Sequence, residues 1–527
     1  MSGIDPAVLR ALGDPRFYPH HPDVVDHVQT HISHVFLAGP YVYKLKKAVR
    51  FPFLDFSTAE RRFRFCTEEV RLNRRLAPGV YLDVIPITHD ADGALRLGGA
   101  GRGVEHVVWM RRLPADRLLV NLIATAAATE DMMDVLARTL AIFHASAPSG
   151  DDVAAHAAPD SLRTRWSEEA EGTAPFVGDL LAVEDHEVLA DFGRTFIETH
   201  ETLLRARQHG DHIREGHGDL HAEHVCFLPP PDDVVVFDCI EFSRPLRCND
   251  VASEIAFLAM DLESRGRPDL ARRFVAAYAE AAADPLVSVL LPFYGCYRAG
   301  VRGKVEGLAS READVEPADR DAVAERARGH FALAVRYAWS VGGPAVVACC
   351  GLAGTGKSTL ARELARTTGF VWTGTDAIRK RGDDRPAVTP YGAGPYDTAA
   401  REAVYEALSV DADAALAAGR GVVADATFIR AKDRDRLARI AADRRCPIVF
   451  VECRAGERIV RGRLDARRNT ASPSDARWDT YVAQRTEWEP FGPDEPHFTV
   501  DTGGPLAAAR ATAIRRLWPW RQRRRFT

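Results

Sequence analysis

Residues Ala345–Leu360 read AVVACCGLAGTGKSTL. A short apolar run breaks into Gly351-Leu352-Ala353-Gly354-Thr355-Gly356-Lys357-Ser358, and Thr359 leads into a helical pattern. The spacing is a complete G-x-x-x-x-G-K-S. Glycines lack a Cβ, so the backbone can approach a phosphate closely and wrap its N–H groups around the oxygens, and the following helix points its N-terminus at the same anion. Gly351 to Thr359 is therefore read as a nucleotide-binding loop. Lys357 would reach the β- and γ-phosphates and the Ser358 hydroxyl would ligate Mg²⁺.

Downstream, FVWTGTDAIRKR predicts a strand running into a loop that carries Asp376 and Arg379. A helix is expected from about Asp397 to Ala418, closed by Gly419, and GVVADATF is a buried strand ending at Asp425. PIVFVEC followed by GERIVRGRLDARRN continues the alternation. Strand and helix in turn predict an α/β domain with a mainly parallel sheet, whose ligands sit at the carboxyl ends of the strands. Asp376 and Arg379 suit a base and a clamp for a phosphoryl acceptor, or else a helix cap and a surface arginine. Asp425 suits a metal-side or substrate-orienting carboxylate. Arg458, Arg461, Arg463, Arg467 and Arg468 crowd one helix, where guanidinium groups can grip phosphate oxygens in pairs.

Upstream, Gly342-Gly343-Pro344 marks a domain boundary after a helix expected over Asp319 to Ser340. The reading divides the chain into 1–310, a helical linker 311–343, and 344–527. In the first part, one or two short helices are expected within Asp5 to Gln29. HISHVFL and YVYKLKK then form a hairpin about Ala38-Gly39-Pro40, and Ser57 to Leu76 forms a helix. Period two puts Lys44 and Lys46 on one strand face, and Glu68 and Glu69 lie on the helix that follows. Two more strands precede Pro114 and a long helical region follows to about Gln208. Further on, Gly216-His217-Gly218-Asp219-Leu220-His221-Ala222-Glu223-His224 is soon followed by VVVFDCIEFS, which brings Asp238 to a strand end. Carboxylates on loops after short strands suit a base for a hydroxyl and a Mg²⁺ ligand.

The chain has 527 residues, 46% hydrophobic and 27% charged, with a formal net charge of −5. Such a length implies more than one domain, and the negative balance argues against whole-chain attraction to nucleic acid or membrane. Nine scattered cysteines show no repeated C-x-x-C spacing, so neither a disulfide framework nor a cysteine zinc site is expected. A cytoplasmic protein without membrane segments fits these features.

HGDLH, FDCIEF and RPLRCNDVASEIAFLAMDLE resemble the aminoglycoside-phosphotransferase, kinase-like superfamily. GLAGTGKST, TDAIR, VVADATF, RGRLDARR and SPSDA are similar to small P-loop kinases of the polynucleotide-kinase, gluconate-kinase and zeta-toxin-like group. The two-part chain resembles bifunctional aminoglycoside phosphotransferase/ATP-binding proteins. The resemblance implies an α+β bilobal kinase-like domain followed by an α/β P-loop NTPase domain, with ATP and Mg²⁺ as cofactors and a small-molecule hydroxyl as acceptor. It further implies Asp219 as catalytic base, Asp238 as Mg²⁺ ligand, Lys44 as the phosphate-pairing lysine with Lys46 close behind, and Glu69 as its partner. Asp250 would brace the catalytic loop. In the second domain it implies Asp376 as acceptor base, Arg379 on the acceptor, and Arg463 and Arg467 as lid arginines. His224 stands where that superfamily places a metal-ligating asparagine.

Alternatives remain open at this stage. His217, His221, His224 and Cys226 have the spacing of a transition-metal site. Tyr294, Tyr297 and Arg298 can be read as a pocket for an acidic group or as a packed helix face. The C-terminal ARATAIRRLWPWRQRRRFT is read as a nucleic-acid contact or as a packed basic tail. An ATP-gated regulator with a degenerate first domain and a nucleic-acid end-processing kinase are the rival functions.

Overall fold

The computed structural model describes residues 3–51, 54–229, 234–312, 316–380, 398–466 and 477–523. Contacts divide the chain into two units, Met1–Glu169 with Gly193–Val301, and Ala170–Phe192 with Arg302–Thr527. The sequence placed 170–192 inside the first domain, but it packs with the second.

In the first unit, β1 (Val25–Gln29), β2 (Ser33–Ala38), β3 (Tyr41–Lys46), β4 (Tyr81–His89), β5 (Leu95–Leu97) and β6 (Arg102–Arg111) form one antiparallel sheet in the order β1-β2-β3-β6-β4-β5. Only Pro6–Leu12 and the turn Pro15–Phe17 are helical in the opening stretch. Val25–Gln29 is an edge strand instead of helix, because VDHVQ can alternate along a sheet margin and His27 stacks on Phe36 of β2. Helix α1 (Ala59–Asn73) begins as expected, with the Thr58 side chain accepting from the Arg61 N–H. It packs Cys66 and Val70 with Val108 and Met110 of β6, and so sets Glu69 among the groups near β3.

Farther along lie α2 (Glu130–Ser146), β7 (Ile213–Glu215), β8 (Val225–Phe227), β9 (Val234–Val236), β10 (Cys248–Asp250), α3 (Val251–Ser264) and α4 (Pro268–Ala281). Strands β7 and β10 pair, as do β8 and β9. The loop 216–224 thus leaves one small ribbon and enters the other, and Asp238 follows β9. Nearly every residue of α3 is buried, which makes it a firm support behind that loop.

The second unit has a five-stranded, all-parallel sheet of β11 (Val346–Cys350), β12 (Val371–Gly374), β13 (Val422–Asp425), β14 (Ile448–Arg454) and β15 (His497–Asp501), in the order β12-β13-β11-β14-β15. Between them run α5 (Lys357–Thr368), α6 (Thr375–Lys380), α7 (Thr398–Ala417), α8 (Ala431–Asp443), α9 (Glu457–Ala466) and α10 (Trp478–Thr486), with α11 (Leu506–Arg523) last. Strand β11 is buried along its whole length, as continuous apolar runs in parallel sheets require. Arg510 of α11 reaches Glu184 and Asp185, and Trp518 Nε1 donates to Asp191 at 2.8 Å. These bonds tie 170–192 to the C-terminal helix. No described helix is long and apolar enough to cross a membrane.

Candidate active sites

In the first unit, Lys44 and Lys46 share one face of β3, as period two required. Both meet the same carboxylate, with Lys44 Nζ 2.9 Å from Glu69 Oε1 and Lys46 Nζ 2.6 Å from Oε2. Lys44 also donates to Asp238 Oδ1 at 2.5 Å, whereas Lys46 turns to Glu241. The Lys46 side chain is 1% exposed and that of Lys44 is 12% exposed, so Lys44 is the more open of the two. Burial works against its charge, but Asp238 and Glu69 hold the ammonium well above the ordinary lysine range. The Asp238 carboxyl is likewise opposed by burial, yet Lys44, then His224, keeps it well below the usual carboxylate range. Asp238 adopts φ +61, a left-handed backbone that turns its side chain back toward Lys44, and its N–H donates to the Tyr81 hydroxyl at 3.0 Å.

The loop that carries Asp219 is fastened from behind. Glu254 of α3 accepts from the N–H groups of His217 and Gly218 at 2.7 and 3.0 Å, and pairs through its other oxygen with His144 Nε2 at 3.0 Å. Arg298 donates to the Gly218 carbonyl and stacks over Phe257. Asp261 accepts from the Ala222 N–H at 2.8 Å. Asp250, expected in the bracing role, instead caps α3 at Ala252 and binds Arg207. Arg298, whose cationic pocket was one reading, is buried as a strut of this loop.

The alternative of a four-residue transition-metal cluster does not assemble among the described residues. His217 Nε2 meets the Phe237 carbonyl at 2.8 Å, and its Nδ1 accepts from the Asp219 N–H. Cys226 is buried on β8 and its sulfur faces the Pro114 carbonyl. Burial pushes that thiol up to about 11. His221 and His224 do come together, with Asp219: one ligand atom from each lies within 4.8 Å of the others. Burial first, then His221, lowers the His224 imidazole to about 4. A neutral imidazole beside Asp238 is a poor match for Mg²⁺, which favours an octahedron of oxygens. Mg²⁺ bound by Asp238 and His224 therefore does not fit this donor set.

In the second unit, the loop after β11 has positive φ at Gly351, Gly354 and Gly356. A Cβ at Gly351 would stand 2.5 Å from the Cys453 carbonyl oxygen, and one at Gly354 would stand 3.0 Å from Val460 and Leu464. The glycines are therefore needed for the backbone course itself. Lys357 and Ser358 open α5 half-buried, Thr359 is exposed, and Leu352, Ala353 and Thr355 complete the loop. Asp425 at the end of β13 is buried; Gly374 lies opposite it on β12, where a Cβ would stand 3.3 Å from the Asp425 carboxylate and crowd it. Burial raises the Asp425 carboxyl, opposed by Lys357 and by a hydrogen bond from Ser358. Its Oδ1 is buried with no hydrogen-bond partner among the described residues. A carboxylate oxygen so placed beside a Walker serine fits a Mg²⁺ site.

Asp376 lies close enough to Asp425 to raise it further, and Arg379 Nη1 donates to Asp376 Oδ1 at 2.7 Å. Arg463 of α9 donates to the carbonyls of Thr502 and Thr355 at 2.7 and 3.3 Å, directly over the phosphate loop. Arg461 instead stacks on Trp478. Arg467, Arg468 and SPSDA lie outside the described residues.

Residues 39–288 match the phosphotransferase enzyme family, and residues 346–490 match an AAA domain. Uncharacterized protein Rv2004c of Mycobacterium tuberculosis is 33% identical over 494 residues, covering 91% of this chain and 93% of that protein. Uncharacterized protein Mb2027c of Mycobacterium bovis matches to the same extent. The chain belongs to the family of these mycobacterial proteins. Solved structures similar to parts of it include a choline/ethanolamine kinase family protein from Mesorhizobium loti, 14% identical, covering 62% of this chain and 99% of that one at a TM-score of 0.37. A gluconokinase from Sinorhizobium meliloti is 22% identical, covering 33% and 94%, at a TM-score of 0.25.

With its two kinase-type domains, this family member is a phosphotransferase. Several residues that shape its sites carry no motif signal. Glu241, in the loop three residues beyond Asp238, serves Lys46, Tyr81 of β4 serves Asp238, and Gln484 Oε1 accepts the Ala353 N–H at 2.8 Å within the phosphate loop. Only the acidic partner of FDCIEF could have been suspected from sequence.

Proposed function

We propose that this phosphotransferase transfers the γ-phosphoryl group of ATP to a hydroxyl of a small molecule, at the P-loop site and at the kinase-like site. The observation that carries the reading is the contact of Lys44 with both Glu69 and Asp238. One ammonium is thereby fixed between a helix and the loop that follows β9, the arrangement that positions nucleotide phosphates in kinase-like enzymes.

At the P-loop, backbone N–H groups and Lys357 hold the phosphates, while Ser358 and Asp425 would hold Mg²⁺. That ion would neutralise charge between the β- and γ-oxygens. Asp376 accepts the proton of the acceptor hydroxyl, and Arg379 keeps the carboxylate oriented. Arg463 supplies positive charge above the loop. In the first unit Lys44 pairs with the phosphates and Asp219 accepts the hydroxyl proton from a loop held rigid by Glu254. Such transfer needs positioning and charge neutralisation more than covalent help. A cytoplasmic setting, where ATP is plentiful, suits this activity. Nucleic acid is a poor candidate for the acceptor, since Arg510 and Arg515 of the basic C-terminus are paired with acids.

The test is mass spectrometry of a metabolite pool, with short oligonucleotides added, after incubation with the full chain and ATP. Parallel reactions contain Mg²⁺ or Mn²⁺, and wild type is compared with Lys357→Ala and Asp219→Ala. A product lost in one variant assigns transfer to that unit. Consumption of ATP with no phosphorylated acceptor would refute the proposal in favour of a nucleotide-gated regulator.

A further inference from the structure

His224 presents its two ring nitrogens to different neighbours. Nδ1 lies 2.9 Å from the Asp219 carbonyl oxygen. A carbonyl can only accept, so Nδ1 carries the proton. With Nδ1 so engaged, Nε2 is the ring nitrogen left to meet a metal, and it faces Asp238 Oδ2 at 3.6 Å. The other oxygen of Asp238 is taken by Lys44. Nε2 and Oδ2 therefore face one another across a gap too wide for a hydrogen bond and of the right width for a shared cation.

From this arrangement we infer that the kinase-like unit holds a divalent cation of the imidazole-accepting class, such as Zn²⁺ or Co²⁺, between His224 Nε2 and Asp238 Oδ2. With bonds of about 2.1 Å, donors spaced in this way subtend a roughly tetrahedral angle at the metal. The bond from Nδ1–H to a backbone carbonyl is the outer contact that fixes the tautomer of metal-bound histidines. His221, whose ring centroid lies 3.9 Å from that of His224, turns its Nε2 to Asp219 Oδ2 at 3.5 Å, so the donors this chain supplies across the gap are His224 and Asp238. Imidazole nitrogen is a weak partner for Mg²⁺ and a strong one for Zn²⁺ and its neighbours in the transition series. The histidine thus changes which metal the site takes. The inference rests on the reading of Asp238 as a metal-side residue of a phosphotransferase, and it extends that reading to metal identity.

The test uses the full chain, stripped with a chelator and free of nucleotide, titrated with Co²⁺ and followed by visible d–d absorption. Wild type is expected to develop an intense band characteristic of low coordination number, which a large excess of Mg²⁺ leaves in place. His224→Asn, with far-UV circular dichroism as a control for folding, should lose that band and bind Co²⁺ at least about tenfold more weakly. Asp238→Asn should behave alike, and decides the matter should the first variant misfold. Equal bands in wild type and both variants, or displacement of Co²⁺ by Mg²⁺ at comparable concentration, would overturn the inference. Because the readout needs no acceptor and no ATP, it separates the two claims. The expected Co²⁺ spectrum with no phosphoryl transfer would sink the proposed function alone. Transfer by Asp219 that runs equally well on Mg²⁺ in wild type and His224→Asn would sink this inference alone.

Discussion

Lys44 and Lys46, two positions apart on one strand, are held by opposite oxygens of the same Glu69 carboxylate. Lys46 is sealed in and closes its shell with Glu241, while Lys44 leans out to Asp238. The same carboxylate thus holds one sealed ammonium and one that reaches the loop after β9. Replacing Lys46 by Met is expected to leave Glu69 and Glu241 buried with too little positive charge, costing about 3–5 kcal/mol, visible as a lowered thermal transition. Lys44→Met should cost less stability, because Glu69 keeps Lys46, but should abolish transfer in the first unit, assayed in a Lys357→Ala background.

Glu254 governs the acid limb of stability. Although burial opposes its ionisation, the bond to His144 and the N–H groups of the loop hold its carboxyl down to about 2, from an ordinary 4.5. Folding lowers this value, so the contribution is complete above about pH 4.5 and is lost as the pH falls toward 2. It amounts to about 3 kcal/mol. The stability gap between wild type and Glu254→Gln, measured by urea unfolding, should be widest near neutrality and narrow progressively below about pH 4.5. A gap independent of pH would contradict this account.

The phosphate loop should tolerate its glycines unequally. Gly351→Ala drives a Cβ into a backbone carbonyl, and Gly354→Ala drives one into the side chains of Val460 and Leu464. Both also strain a positive φ, at about 1–2 kcal/mol. Backbone cannot yield as side chains can, so Gly351→Ala should destabilise more, while Gly354→Ala should mainly weaken nucleotide binding by shifting α9. Calorimetric titration with ADP beside thermal melting distinguishes the two effects.

Arg510 joins Glu184 and Asp185, with Glu363 at 3.1 Å, inside the second unit. Arg510→Met should leave three acids crowded together, at about 3–5 kcal/mol. The additional replacements Glu184→Gln and Asp185→Asn should recover part of the loss, as a double-mutant cycle would show.

What the sequence revealed follows from how local each signal is. The Gly351–Ser358 loop and the Asp219 loop were legible because each is written in consecutive residues, and the parallel sheet because apolar runs alternate with helical patterns along the chain. The choice of Lys44 over Lys46 rested on little, since period two treats them alike; only the depth of burial behind β3 separates them. Val25–Gln29 was misread because prolines nearby suggested broken helices, although its pairing partner, β2, follows directly at Ser33–Ala38. Asp250 was assigned the brace that Glu254 provides, since sequence cannot tell which acid on a buried helix faces the loop. Gln484 left no trace, being one polar residue on an ordinary amphipathic helix.

The segment Ala170–Phe192 gives the chain an unusual kind of indivisibility. Although the P-loop domain reads as a self-contained piece beginning near residue 344, some of its own structural partners are encoded far upstream, on the other side of the Asp219 loop. No single cut yields two whole parts. A gene fragment starting at the Walker strand would produce Arg510 without Glu184 and Asp185, and Trp518 without Asp191. The two units are interleaved along the sequence, so neither is encoded by one uninterrupted stretch of it.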